Sequence, residues 1–196
     1  GTGDVEENVY VTGQIVLDGR NANFPNRRYS IQDAEGRALL FESTIDLGVA
    51  ATSAFSNLAR AAELITATTA AYDVYESDER VMLGAFIFAD VAVTAYRGIA
   101  ASLTDAASLN AMSGMQAAKA YHAGLIRSVL YRKGIATPAI LDATEALSNA
   151  RDALEGVTDI DQGVKPVNNA SNIVPTDGSG LTFARSPAQV LNVHYL

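Results

Sequence analysis

"AMSGMQAAKAYHAGLIRSVLYRKG", residues 111–134, is the stretch on which the fold turns. It reads as the body of a long helix that begins near Ala106 and ends at Gly134. Lys119 and His122 stand three apart on one face of it. That is the spacing at which a carboxylate and an imidazole grip a metal ion inside a helical bundle. Here a lysine holds the carboxylate position.

Reading outward, "DVYESDERVMLGAFIFADVAVTAYRGIA" at 73–100 is the most apolar part of the chain. Its acidic residues before Val81 suit a helix start, and from Val81 to Tyr96 only Asp90 is charged. A membrane span needs about 20 apolar residues. This run is shorter and interrupted, so it predicts a buried central helix rather than a span. On the other side, Pro138 opens a helix, "PAILDATEALSNARDALEG", that Gly156 ends.

Upstream, Ser30 precedes "IQDAEGRALLFESTIDLG", with Asp33 and Glu35 in the first turns and Gly48 at the end. Ile31, Ala34, Ala38, Leu39, Phe41 and Ile45 approximate a helical stripe, which predicts a helix here. Another helix is expected over roughly 52–72, from Ala54, Phe55, Leu58, Ala61, Ala62 and Ile65. Residues 1–28 are rich in Gly, Asn and Asp, with one β-like run, "NVYVTGQIVL", and read as a loop carrying a strand or hairpin arm. From Val157 onward the chain is Asn-, Asp-, Gly- and Pro-rich and reads as an extended, wrapping tail. Its end, "AQVLNVHYL", suits a last helical turn or a short strand. The expected organisation is a mainly α bundle over 30–156, an N-terminal arm over 1–29 and a tail over 157–196.

The totals narrow the function classes. The 196 residues suit one domain with a real core, and 48% apolar with 18% charged is a globular composition. A net charge of −8 argues against nucleic acid and anionic membrane surfaces as partners. The absence of cysteine removes disulfides, thiolate zinc sites and cysteine nucleophiles, and it fits an exported protein. "GTGDVEEN" carries neither a basic nor an apolar leader region, which reads as a mature, trimmed or partial chain. There is no serine–histidine–acid order, phosphate-binding glycine loop or zinc-helix motif.

Four stretches resemble one family, the exported ferritin-like proteins that include the desiccation-related proteins. They are "LGAFIFADVAVTAY" at 83–96, "AAKAYHAGLIRSVLYRKG" at 117–134, "SNARDALEGVTDIDQG" at 148–163 and "SNIVPTDGSGLTFARSPAQVLNVHYL" at 171–196. The resemblance implies a ferritin-like helical bundle whose dinuclear metal site draws carboxylates and histidines from four core helices. Transferred position by position, the site fails. The first core helix is without a counterpart. Glu35 falls at the second helix's glutamate, or Gly36 after a one-residue slip, with Ala38 or Leu39 at the histidine. Ala89 stands where the third helix's glutamate belongs, beside Asp90. In the fourth helix Lys119 replaces the carboxylate and His122 alone survives.

A dinuclear site must offset about four positive charges, and a lysine ammonium adds to them. Glu35, Ala89, Asp90, Lys119 and His122 are therefore read as vestigial positions, with no catalytic residue, cofactor or metal expected. Lys119 either pairs with Glu35 or Asp90 in the vacated cavity or reaches solvent. His122 is expected as a hydrogen-bonded core histidine, Asp90 as an interior salt bridge and His194 as a tail-packing residue.

A bundle lacking one helix exposes an apolar trough that something must fill. Helix 138–155, the N-terminal arm, or a segment donated by a neighbouring copy are the candidates; "NVYVTGQIVL" offers a strand for such a donation. Head-to-tail donation need not close and yields a filament. The expectation is an exported, non-enzymatic, self-assembling structural protein, a homo-oligomer with exchanged segments. The alternatives are a metal-binding or di-metal oxidoreductase and a stress-protective protein.

Overall fold

A computed structural model describes residues 28–32, 38–42, 46–156 and 158–194. The chain divides into two units, residues 1–46 and 47–196, and the tail belongs to the same unit as the helices.

In the first unit, β1 (Arg28–Gln32) and β2 (Ala38–Glu42) form an antiparallel pair. The register sets Tyr29 opposite Phe41 and Ile31 opposite Leu39. The helix expected over this stretch is thus corrected to a hairpin. Tyr29 and Ile31, then Leu39 and Phe41, also alternate with the period of two that a strand requires, and aromatic and β-branched residues favour the pleated surface. Glu35, Gly36 and the run "NVYVTGQIVL" lie outside the described residues.

The second unit begins with α1 (Ala54–Ala61). Ser53 caps it, its Oγ accepting from the Ser56 N–H at 3.3 Å. The helix expected to run to about 72 stops at 61. Glu63 takes a left-handed conformation (φ 58°), and the β-branched run Ile65, Thr66, Thr68, Thr69 follows. Arg60 then ties that loop down, donating to the carbonyls of Ala51, Thr68 and Ala70 at 3.0–3.1 Å.

Three long helices form the body: α2 (Asp78–Ala100), α3 (Ala106–Ala136) and α4 (Pro138–Glu155). Their starts follow capping chemistry. Ser77 Oγ accepts from the Arg80 N–H, with Asp78 and Glu79 in the first turn of α2. Asp105 Oδ1 accepts from the Ser108 N–H at 2.7 Å at the head of α3. Pro138 sits at the start of α4, and Gly156, at φ 112°, follows its last residue. Gly134 lets α3 and α4 close together, because a Cβ there would overlap Leu141.

The core gathers Phe55, Leu58, Phe86, Ile87, Leu130 and Leu147, all nearly or wholly buried. Val164 brings the tail into the same cluster. Residues 158–186 run over the helices without regular structure, apart from a bridge between Val167 and Ala170 across the left-handed pair Asn168–Asn169. The chain then forms α5 (Pro187–His194), so the C-terminal stretch is helical rather than a strand.

α2 spans 23 residues with a mean hydropathy of 1.4 in its most apolar window, and among the described residues it alone is long and apolar enough to cross a membrane. The helix starts at Asp78 and continues past Tyr96 to Ala100, longer than the apolar run from Val81 to Tyr96 on which the expectation of a buried helix rests. Half of that window is buried within the fold.

Candidate functional site

The buried stripe of α3 runs Ala123, Arg127, Leu130, Gly134, and that of α4 runs Ile140, Thr144, Leu147, Arg151. Each stripe keeps helical spacing, and each carries one arginine into the interior. A buried guanidinium must meet counter-charge and acceptors for all its N–H groups. What the two arginines find defines the polar centre of the protein.

Arg127 Nη1 stands 2.7 Å from Asp90 Oδ2 of α2 and also donates to the Gln162 carbonyl at 2.8 Å. Its Nη2 donates to the carbonyls of Gly163 and Asn172, both at 2.6 Å, and its Nε to that of Ile173 at 3.1 Å. Every nitrogen of the guanidinium is engaged, so Arg127 has no donor left for a ligand. Arg151 Nη1 donates to the Phe86 and Ile87 carbonyls at 3.0 and 2.9 Å. Its Nη2 lies 2.8 Å from Asp161 Oδ1 but off the hydrogen-bond direction, so that contact is electrostatic. Both guanidiniums lie over the Phe86 ring, at 5.5 and 4.7 Å from its centre.

The third arginine comes from the tail. Arg185 pairs with Glu155 at 2.5 Å, with Asp161, and with the Thr94 hydroxyl. Its backbone N–H donates to the Thr94 carbonyl at 3.0 Å. That approach requires Gly98, where a Cβ would overlap the Arg185 carbonyl. Three buried arginines thus face three buried acids, Asp90, Glu155 and Asp161, across α2, α3, α4 and the tail. The balance of charge makes the centre a clasp between tail and helices.

A fourth acid lies beside it. Asp152, Glu155 and Asp161 place carboxylate oxygens within 4.8 Å of one another, the one such group of potential metal ligands among the described residues. Arg185 already neutralises Glu155, and Arg151 and Arg185 neutralise Asp161. Burial, and next the charge of Asp161, push the Asp152 carboxyl up to about 6, although its Oδ1 accepts from the Ile160 and Asp161 N–H groups at 3.2 Å. Two cations standing over three acids leave one excess negative charge, which a proton on Asp152 relieves.

The residues singled out in the sequence do not converge. Asp90 is 8% exposed and is held by Arg127, with Arg151 Nη2 at 3.8 Å, so of the alternatives open for Lys119, pairing with Asp90 is not the one found. Lys119 is half-buried, makes no hydrogen bond or ion pair among the described residues, and has its pKa lowered by that desolvation. His122, expected in the core, is exposed, because the α3 stripe turned inward is the one containing Ala123 and Arg127. Ala89 is partly buried and offers no ligand atom. Glu35 lies outside the described residues. A dinuclear metal centre does not fit these positions: one carboxylate is consumed by arginines, one position is a cation, one a methyl group, and the imidazole faces away. His194 stacks on Phe88, ring centres 5.5 Å apart and planes 8° apart. Asp177 spends its Oδ1 on the N–H groups of Ser179 and Leu181, closing its own loop.

Sequence reasoning missed Arg127, Arg151, Arg185, Glu155 and Asp161. The signal was present for two of them, since helical periodicity places Arg127 and Arg151 on apolar stripes. A cavity of about 50 Å³ beside Asp90 and Arg127, lined also by Ala123, Ile173 and Phe183, has room for water rather than for an organic substrate.

A family model described as a ferritin-like domain matches residues 28–132, just over half of the chain. Among curated proteins and among solved structures, nothing matches it.

Proposed function

The chain belongs to the ferritin-like domain family, and from that premise we propose that it is a member without metal chemistry, an exported structural protein that assembles with copies of itself. The observation that carries this reading is the fate of Asp90. The acid next to the third-helix ligand position is bound to Arg127 at 2.7 Å, inside a clasp that fastens the tail. Ala89 and Lys119, which stand where the third and fourth core helices would carry carboxylates, offer no ligand, while α2 and α3 themselves remain.

A fold that keeps its architecture and loses its ligands is free to act through its surface. The described surface of α3 supports that role, because Tyr121 and Leu125 are among its most exposed large side chains. Likeness to the exported, desiccation-related branch belongs to the same proposal.

Elemental analysis of the purified protein, paired with light scattering and electron microscopy, tests it. The expected result is no stoichiometric iron, manganese or zinc, with a regular oligomer or polymer. Stoichiometric metal that is lost in His122→Ala overturns the reading in favour of a metal-binding oxidoreductase. A compact monomer at micromolar concentration overturns the assembly.

A further inference from the structure

α3 shows the solvent a second stripe, distinct from the one it buries. Ala107, Ala111, Gly114, Ala118, Tyr121 and Leu125 recur at alternating steps of four and three, and all six are exposed. That is the a/d spacing of a helix that packs along another helix. At 1.5 Å per residue the stripe extends about 27 Å. It is narrow and flat at one end, where a Cβ on Gly114 would meet nothing within 4 Å. It is bulky at the other, where Tyr121 is 81% and Leu125 66% exposed. Single exposed apolar residues need no explanation, but six consecutive positions of one heptad seam form a contiguous face.

The charge around the stripe says what covers it. Residues 106–141 carry four basic side chains and no acidic one, in a chain that has 22 acidic and 14 basic residues. Two of those bases flank the seam without an ion pair among the described residues: Lys119, half-buried, and Arg132, exposed. A basic, apolar seam on an otherwise acidic molecule is complementary to the rest of that molecule's own surface. Two copies joined seam to seam would bring Lys119 toward Lys119, whereas seam to acidic surface pairs opposite charges. The second arrangement is heterologous and can repeat indefinitely.

We propose that this face of α3 is the surface through which the chain docks onto the acidic surface of a second copy. The inference rests on the self-assembly reading and adds the contact to it. Tyr121 and Leu125 act as anchors, the small residues let the partner backbone approach, and Lys119 finds in the partner the counter-charge it lacks here.

The chain has no cysteine, so Ala118→Cys supplies a unique thiol on the seam. Labelled with a maleimide photo-crosslinker in a mixture of ¹⁴N and ¹⁵N protein, it is expected to join light to heavy chains through Asp- or Glu-bearing peptides. Crosslinks confined to one chain, for example to residues 1–46, overturn the proposal, as does an assembled sample that gives none. The double variant Tyr121→Asp, Leu125→Asp is expected to lower the assembled mass with at least a hundredfold weaker association and an unchanged melting profile. Assembly of that variant equal to the parent overturns the seam while leaving self-assembly standing. A parent chain that is monomeric removes both. Raising salt from 0.05 to 0.5 M is expected to weaken association about tenfold, and indifference to salt overturns the acidic docking surface.

Discussion

Arg127 and Asp90 form a 2.7 Å ion pair between α3 and α2, with Arg127 only 1% exposed. The pair is stabilising in context only because each partner neutralises the other where water cannot. Removing one leaves a buried charge unmatched. Asp90→Ala or Arg127→Ala is expected to cost about 3–5 kcal/mol in urea unfolding. The double variant Asp90→Ala, Arg127→Ala is expected to lose less than the two single losses added together, and additive losses would show that the pair is not coupled.

Arg185 fastens the tail to α2 and α4. Its guanidinium reaches Glu155, Asp161 and Thr94, and its backbone crosses Gly98 at a distance that admits no Cβ. Arg185→Ala and Gly98→Ala should therefore produce the same result by different routes. Both are expected to speed amide exchange across 158–186 and expose that segment to proteolysis, with α2 and α3 less affected. Slow exchange in the tail of Gly98→Ala would mean the backbone contact is not required.

Much of the helical body was legible because its limits are chemical. Pro138, Gly156 and the acids ahead of Val81 each mark an end by a local rule, and α3 and α4 begin where the sequence places them. The stretch 31–48 was misread because one apolar set fits both a period near four and a period of two, and register decided it. Lys119 and Ala89 could be read from the sequence as positions without a carboxylate. The buried clasp was not legible, since Asp90 meets Arg127 from 37 residues away on α3 and Arg151 on α4, while Arg185 of the tail pairs with Glu155 and Asp161. Long-range charge pairing leaves no local spacing to read.

Asp152 gives the clasp a pH dependence of known sign. Its folded pKa of about 6 lies above the ordinary 3.8, so the folded protein takes up a proton that the unfolded chain does not. This contribution is fully present below about pH 4 and lost as pH rises through 6. Asp152→Asn keeps an acceptor for the Ile160 and Asp161 N–H groups and removes the charge. It is expected to stabilise the protein at pH 7 by about 1 kcal/mol, a figure reduced for the half-exposed site. At pH 4 the gain should vanish, and an equal gain at both values in urea titrations would rule out the titration of Asp152 as its source.

α5 responds to acid in the opposite direction. His194 lies against Phe88, and desolvation, the largest influence on it, holds its pKa below the ordinary 6.5. Of the charged groups facing it, Arg185 adds to that depression, while the backbone at Val190 opposes it. Because the folded form resists the proton, the unfolded chain binds more of it as pH falls through 6.5, and stability from this contact declines there. Phe88 also packs edge-on to Phe55, so the loosening reaches α1 through a single ring. Amide exchange over 187–194 should accelerate between pH 7 and pH 5, against the trend set by Asp152. His194→Phe keeps a flat ring over Phe88 and cannot be protonated, so its α5 should exchange at the same intrinsic-rate-corrected speed at both values. Acceleration that persists in His194→Phe would place the acid response elsewhere.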